Sequence, residues 1–180
     1  MKGIFLKGES VYLRMITEDD LTEKYRDWFN DEEVTQYNSH HRFPNYDENM
    51  REYFKNVISS RENIVLAICD TSTEEHVGNI ALENINLIDR SAELAIIIGE
   101  KNQQGKGVGK QACALLLKHA FEQLDLHRVY CATSDKNIGM QRLAGALGFK
   151  EEGRSREAQF KNGVFNDFIH YGILRSEWKG

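Results

Sequence analysis

Proline is almost missing from this sequence: Pro44 is the only one in 180 residues, and no low-complexity stretch divides the chain. One ordinary domain spanning residues 1–180 is therefore expected, long enough to bury a core without metals or cross-links. Cysteine is scarce too, standing alone at positions 69, 113 and 131. An odd number without paired spacing argues against a disulfide framework and for free thiols in a reducing compartment. Cys113 and Cys131 fall in apolar segments as small core residues, and nothing near them supplies a base to make a nucleophile. No run of about 18 apolar residues occurs, so no transmembrane helix is expected. The apolar run within Met1–Glu9 is too short for a secretory signal, and a cytoplasmic protein is the expectation. An excess of one charge is also missing. The 23 basic and 28 acidic residues give −5 with the signs mixed, which argues against generic attraction to nucleic acid or membrane. His119 and His127 do not form a ligand set, so no metal is expected.

What the chain does contain is a sequence of well-marked elements. Val11, Leu13 and Met15 alternate with polar neighbours as in a strand. Thr17 with Asp20 resembles a capping box and predicts a helix reaching about Phe29. Asn30-Asp31 breaks it, and a short helical turn is predicted over Glu32–Gln36. A polar stretch from Tyr37 to Pro44 follows, then a helix from Asp47 to Ser59 or Ser60 with Met50, Phe54, Val57 and Ile58 on one face. Strands are predicted over Ile64–Cys69, His76 to about Glu83, and from Ser91 through the Ile96-Ile97-Ile98 run to Gly99. That run reads as a central strand buried on both faces. A long helix spans about Gly107–Gln123, a strand Arg128–Thr133, and a helix Asn137–Leu147 ending at Gly148. Two further strands, Phe149–Glu157 and Val164–Leu174, flank the hairpin signal Asn162-Gly163. The order predicts an α/β fold: a mixed sheet with helices on both faces.

The sharpest local feature is Gln104-Gly105-Lys106-Gly107-Val108-Gly109, set between the isoleucine strand and the long helix. Glycines there let the backbone turn tightly and bring N–H groups close to a ligand, and a helix N-terminus adds a positive dipole end. Such a nest suits a pyrophosphate. Lys101, Lys106 and Lys110 add charge around it or are ordinary surface lysines. The spacing is neither that of a Walker loop nor that of a dinucleotide fingerprint.

In this position Gln104-x-x-Gly107-x-Gly109 resembles the coenzyme A pyrophosphate loop of the GCN5-related N-acetyltransferase superfamily. Asn137-Ile138-Gly139-Met140 through Leu147-Gly148-Phe149 resembles that family's second motif, and the order and separation of the two are more specific than either alone. The resemblance covers nearly the whole chain. Trp28–Val34 and Asn162–Asp167 look like the branch holding ribosomal-protein N-terminal, spermidine and nucleotide-amino-sugar acetyltransferases. It implies a mostly antiparallel sheet with a splayed cofactor cleft, and acetyl-CoA as cofactor. The loop 104–110 and Asn137 would contact it, the backbone of Ile96 and Ile98 would pair with the pantetheine arm, and an N–H near Ile97 would point at the thioester oxygen.

The resemblance also implies an acceptor with a primary amine, which attacks as the neutral form and needs a base. Glu93, at the entry of the central strand, is the first choice, with a strand-end salt bridge as its plain reading; Glu83 is the reserve. Where many members carry a tyrosine that protonates the leaving sulfur, this sequence has Ala144. Asn137 either caps its helix or touches the cofactor. Tyr37, His40, His41 and Arg42 suit a sugar or nucleotide phosphate, or are ordinary loop chemistry; this favours an amino-sugar acceptor. The acidic residues Asp31, Glu32, Glu33, Asp47 and Glu48 favour a polyamine, or are solvated helix ends. Asp167 is assigned to the acceptor pocket or to a subunit contact of a homo-oligomer. A protein N-terminal acetyltransferase and a noncatalytic acyl-CoA-binding module complete the alternatives.

Overall fold

The computed structural model describes residues 3–180. Strand β1 (Ile4–Lys7) and strand β2 (Val11–Met15) form a first antiparallel pair. Helix α1 (Glu23–Asn30) and helix α2 (Asp47–Ser59) follow, then β3 (Ile64–Asp70), β4 (His76–Asn86) and β5 (Ser91–Ile98). The chain continues through α3 (Val108–Glu122), β6 (Arg128–Ser134), α4 (Ile138–Ala146), β7 (Lys150–Lys161) and β8 (Val164–Leu174). Among the described residues, eight strands join one sheet in the order β1-β2-β3-β4-β5-β6-β8-β7. Every neighbouring pair is antiparallel except β5 with β6.

Strand alternation divides the core between the two faces. Val11, Leu13, Leu66, Ile68, Ile80, Leu82 and Leu94 pack with Val108, Ala112, Leu116 and Leu117 of α3. Tyr12, Val65, Ala67 and Ala81 pack on the other face with Phe54 and Val57 of α2. Tyr25, Trp28 and Met50 join α1 to α2. All three cysteines are free and buried. Burial pushes the Cys131 thiol up to about 12 and Cys113 higher still, so they are packing residues rather than nucleophiles.

Several sequence expectations need correction. The Thr17–Asp20 capping box exists, but it caps a short 3₁₀ turn, Glu18–Asp20. The helix proper starts later, where the Thr22 hydroxyl accepts from the Tyr25 amide at 3.2 Å. The stretch 32–36 holds the expected helical turn, the Thr35 amide donating to the Asp31 carbonyl at 3.1 Å, and it goes no further as helix; Asp31 Oδ1 accepts from the amides of Glu33 and Val34. Strand β1 was not expected. The isoleucine run is half-buried instead of buried on both faces. Its cause lies in the pairing of β5 with β6, which covers only Ser91↔Arg128, Ala92↔Val129 and Glu93↔Tyr130. Beyond Glu93 the register stops, and Cys131–Ser134 of β6 continues against β8 alone.

Candidate active site

The N-terminus of α3 is built to stay open. Gly107, at the N-cap, has φ +85°, and Gly105 has φ +73°. A side chain is strained in that left-handed region, and a Cβ at either glycine would meet nothing within 4 Å. Backbone conformation, not crowding, therefore requires glycine here, and the space above the turn is free. No side chain caps the helix, and the first amides of any α-helix have no partner within it. The N–H groups of Val108, Gly109 and Lys110 thus have the geometry that suits an anion. Gln104 braces the loop by donating Nε2 to the Ile98 carbonyl at 3.0 Å.

A cavity of about 330 Å³ lies on the opposite face, under α1 and α2. Its lining includes Tyr25, His40, Tyr53, Asn79, Glu83 and the β5 residues Ala95–Ile97. Glu83 and Glu93 face one another in register across β4 and β5. Burial, and then the neighbouring Glu93 carboxylate, push Glu83 above the ordinary carboxylate value. Asn84 Nδ2 donates to Glu93 Oε2 at 3.3 Å. Desolvation of its ring, helped by Lys161, lowers His40 below the ordinary imidazole value, although the residue as a whole is exposed.

The remaining expected residues are placed elsewhere. His41 and Arg42 are exposed and are not among the cavity-lining residues, and Arg42 Nη2 donates to the Phe160 carbonyl at 2.9 Å. Tyr37 contributes its carbonyl to Gln159 Nε2 at 3.1 Å. With the Lys161 ammonium donating to the His40 carbonyl at 2.7 Å, these bonds tie the 37–42 loop to the β7–β8 hairpin. Asp167 belongs to that hairpin, where Oδ1 accepts from the Glu157 amide at 2.9 Å and Oδ2 lies 3.5 Å from Arg154. Asn137 caps α4, accepting from the Met140 amide at 3.0 Å and donating to Thr133 Oγ1 at 3.0 Å. Ala144 is buried in the core. Sequence reading missed Tyr25, Asn79 and Tyr53; the one available signal was Asn79, a polar residue inside the apolar run of β4.

A glycine turn at a helix start, a β5 edge without a strand partner past Glu93 and a cavity meeting the same strand are what an acyl-CoA-dependent transferase requires. Residues 10–150 match the Acetyltransferase (GNAT) domain family, and the chain belongs to that family. It is an acetyl-CoA-dependent N-acetyltransferase acting on an amine.

Spermidine N(1)-acetyltransferase of Vibrio cholerae serotype O1 (strain ATCC 39315 / El Tor Inaba N16961) is 31% identical over 136 residues, which is 76% of this chain and 77% of that protein. YdaF of Bacillus subtilis (strain 168), whose name proposes a ribosomal N-acetyltransferase, is 36% identical over 103 residues. That match spans 57% of this chain and only 56% of YdaF. Among solved structures, the Vibrio cholerae spermidine N-acetyltransferase in complex with CoA and spermine superposes with a TM-score of 0.86 at 27% identity. The match covers 94% of this chain and 98% of that one.

Proposed function

We propose that the chain acetylates a small polyamine of the spermidine class, with the amine bound in the cavity beside Glu83. One observation carries this reading: the same cavity touches a half-buried carboxylate and the backbone-bearing segment Ala95–Ile97 of β5, just past the point where β5 leaves β6. The likeness to spermidine acetyltransferases supports the acceptor class. The amino-sugar acceptor loses its main support, because Arg42 is engaged by Phe160 and neither Arg42 nor His41 lines the cavity.

The residues present fit acetyl-CoA. The open nest of Gly105, Lys106, Gly107, Val108, Gly109 and Lys110 would hold its pyrophosphate. The edge of β5 past Glu93, centred on Ile96, would pair with the amides of the pantetheine arm, while the Ile98 carbonyl on the same edge is held by Gln104. When bound, acetyl-CoA supplies an acyl carbon activated as a thioester. The Ile97 N–H points to β4, in register with Asn79, so the donor for charge developing on the acyl oxygen would be an edge-facing N–H of Ile96 or Ile98 rather than that of Ile97.

Glu83 accepts the proton released by the attacking amine, directly or through water. Its raised pKa brings it nearer the working pH, where a general base is most effective. Glu93 takes the supporting role of the like charge that raises it. Ala144 leaves the departing thiolate without the family's tyrosine donor, and a thiolate is a tolerable leaving group by itself.

A second reading, acetylation of a protein N-terminus, draws on the likeness to YdaF and on the cavity's Asn38, Asn45 and Asn49, which suit peptide groups. Thiol release from acetyl-CoA, followed with spermidine, a serine-starting peptide and a nucleotide-linked amino sugar, tests both. Fastest release with spermidine is the expected result; release only with the peptide transfers the assignment, and cofactor binding without release to any amine overturns catalysis.

A further inference from the structure

Tyr25 of α1 lines the cavity and is buried, and a chain of polar groups stands behind its hydroxyl. Asn79 Nδ2 donates to Tyr25 Oη at 2.9 Å. Asn79 Oδ1 lies 2.8 Å from His76 Nε2, which is also 2.9 Å from the Gly78 carbonyl oxygen. A carbonyl only accepts, so Nε2 carries a proton, and that proton fixes which end of the Asn79 amide faces the imidazole. The other ring nitrogen, Nδ1, faces Asp20 Oδ1 at 3.5 Å. Arg14 grips that carboxylate with two bonds of 2.6 and 2.7 Å. Burial alone would raise Asp20, but the bonds from Arg14, His76 and the Thr17 amide outweigh it and hold Asp20 well below the usual carboxylate range. The imidazole is pinned between Tyr25, stacked at 5.8 Å, and the edge-on ring of Trp28 at 5.0 Å.

This arrangement has a directional result. With Asn79 Oδ1 turned to the imidazole, its Nδ2 must occupy one lone pair of Tyr25 Oη. The phenolic hydrogen then has no acceptor on the Asn79 side and turns, with the second lone pair, toward the cavity. We propose that His76 is a positioning residue for the acceptor: acting through Asn79, it orients the Tyr25 hydroxyl as the group that anchors the amine substrate. The inference rests on the cavity being the acceptor site. It concerns residues that neither touch the cofactor nest nor accept the proton.

The experiment measures KM and kcat with spermidine, and in parallel with a serine-starting peptide, for His76→Leu, Tyr25→Phe and the double variant. Acetyl-CoA affinity is followed by calorimetry. Each single variant is expected to raise the acceptor KM about ten-fold or more with cofactor affinity unchanged. The double variant should be no worse than either single one, since both break the same link. His76→Gln, which returns an N–H near the Nε2 position, should recover most of the loss. Strictly additive effects, or a His76→Leu protein with a lowered Tm and an unchanged acceptor KM, overturn the proposal.

Should His76→Leu not fold, Asn79→Ala reads the same link. Nitrogen NMR of histidine-labelled protein adds an arm independent of any amine: an Nε2 without its proton overturns the orientation outright. Ala95→Phe separates the two readings by filling the cavity. If it blocks acetylation while His76→Leu and Tyr25→Phe leave KM alone, only the positioning role falls. If it leaves the acceptor KM unchanged, the cavity is not the acceptor site.

Discussion

Glu83 and Glu93 show how two like residues take different parts through their surroundings. They oppose each other across β4 and β5, and Glu83 is the one that lines the cavity. Replacing Glu83 by Gln is expected to lower kcat by roughly 10²–10⁴, the usual worth of a general base, with acetyl-CoA affinity unchanged by calorimetry. A second expectation follows from the sign of the Glu83 shift. Its folded pKa is raised, so activity should fail on the acid side as Glu83 takes up a proton. Glu93→Gln removes the neighbouring negative charge and lets the Glu83 pKa fall. The acid limb of kcat/KM should therefore move to lower pH; a limb that stays in place would remove Glu83 from the base role. Sequence position could offer Glu93 as a strand-entry carboxylate, and Glu83 beside it. It could not rank them, because the ranking depends on which side chain α2 and the 37–45 loop enclose.

At the scale of elements, the glycine nest was the most legible part of the chain. Its glycines and the helix after it carry local signals, and the positive φ of Gly105 and Gly107 is what those signals require. Gly107→Val should weaken acetyl-CoA binding more than ten-fold, because a β-branched residue at φ +85° is strained by about 1–3 kcal/mol and would displace the nest. Gly109→Ala is the control: a Cβ there meets Ile96 Cδ1 and Leu143 Cδ2 at ordinary distances of 3.6 and 3.7 Å, and affinity should stay within a few-fold. Equal affinity for all three proteins in calorimetry would place the phosphates elsewhere. The Asn162-Gly163 hairpin was equally legible, both residues having positive φ. The first helix was misjudged, since Thr17 and Thr22 both offer capping hydroxyls and only the packing of Tyr25 and Trp28 selects the second. The polar residues of the 37–42 loop suggest acceptor chemistry, and the structure brings its Asn38 and His40 to the cavity. The loop's long-range bonds to Gln159, Phe160 and Lys161 have no local signature.

For the whole molecule, the decisive feature is the place where the sheet stops being continuous. Three paired positions join β5 to β6, while β4 holds β5 along Leu82↔Leu94 through Gly78↔Ile98 and β8 holds β6 through Ser134. The pairing between β1–β5 and β6–β8 is therefore confined to one end of β5, with the N-terminus of α3 following its unpaired end. No stretch of sequence encodes that boundary, because strand propensity reports a strand and not whether its neighbour stays beside it. A ligand whose amides pair along β5 would supply the missing edge, so its effect should be regional. Acetyl-CoA at about 100 times its Kd is expected to stabilise the fold by about 2.7 kcal/mol and to raise Tm accordingly. In amide exchange, protection should rise along Leu94–Ile98 and over the first turn of α3. It should change little in β7, which lies at the edge of the sheet beyond β8. Protection confined to the nest, with the β5 edge exchanging as before, would mean that the cofactor's phosphates bind there but its arm does not enter the opening, and the acyl group would then lie too far from the Glu83 cavity to react.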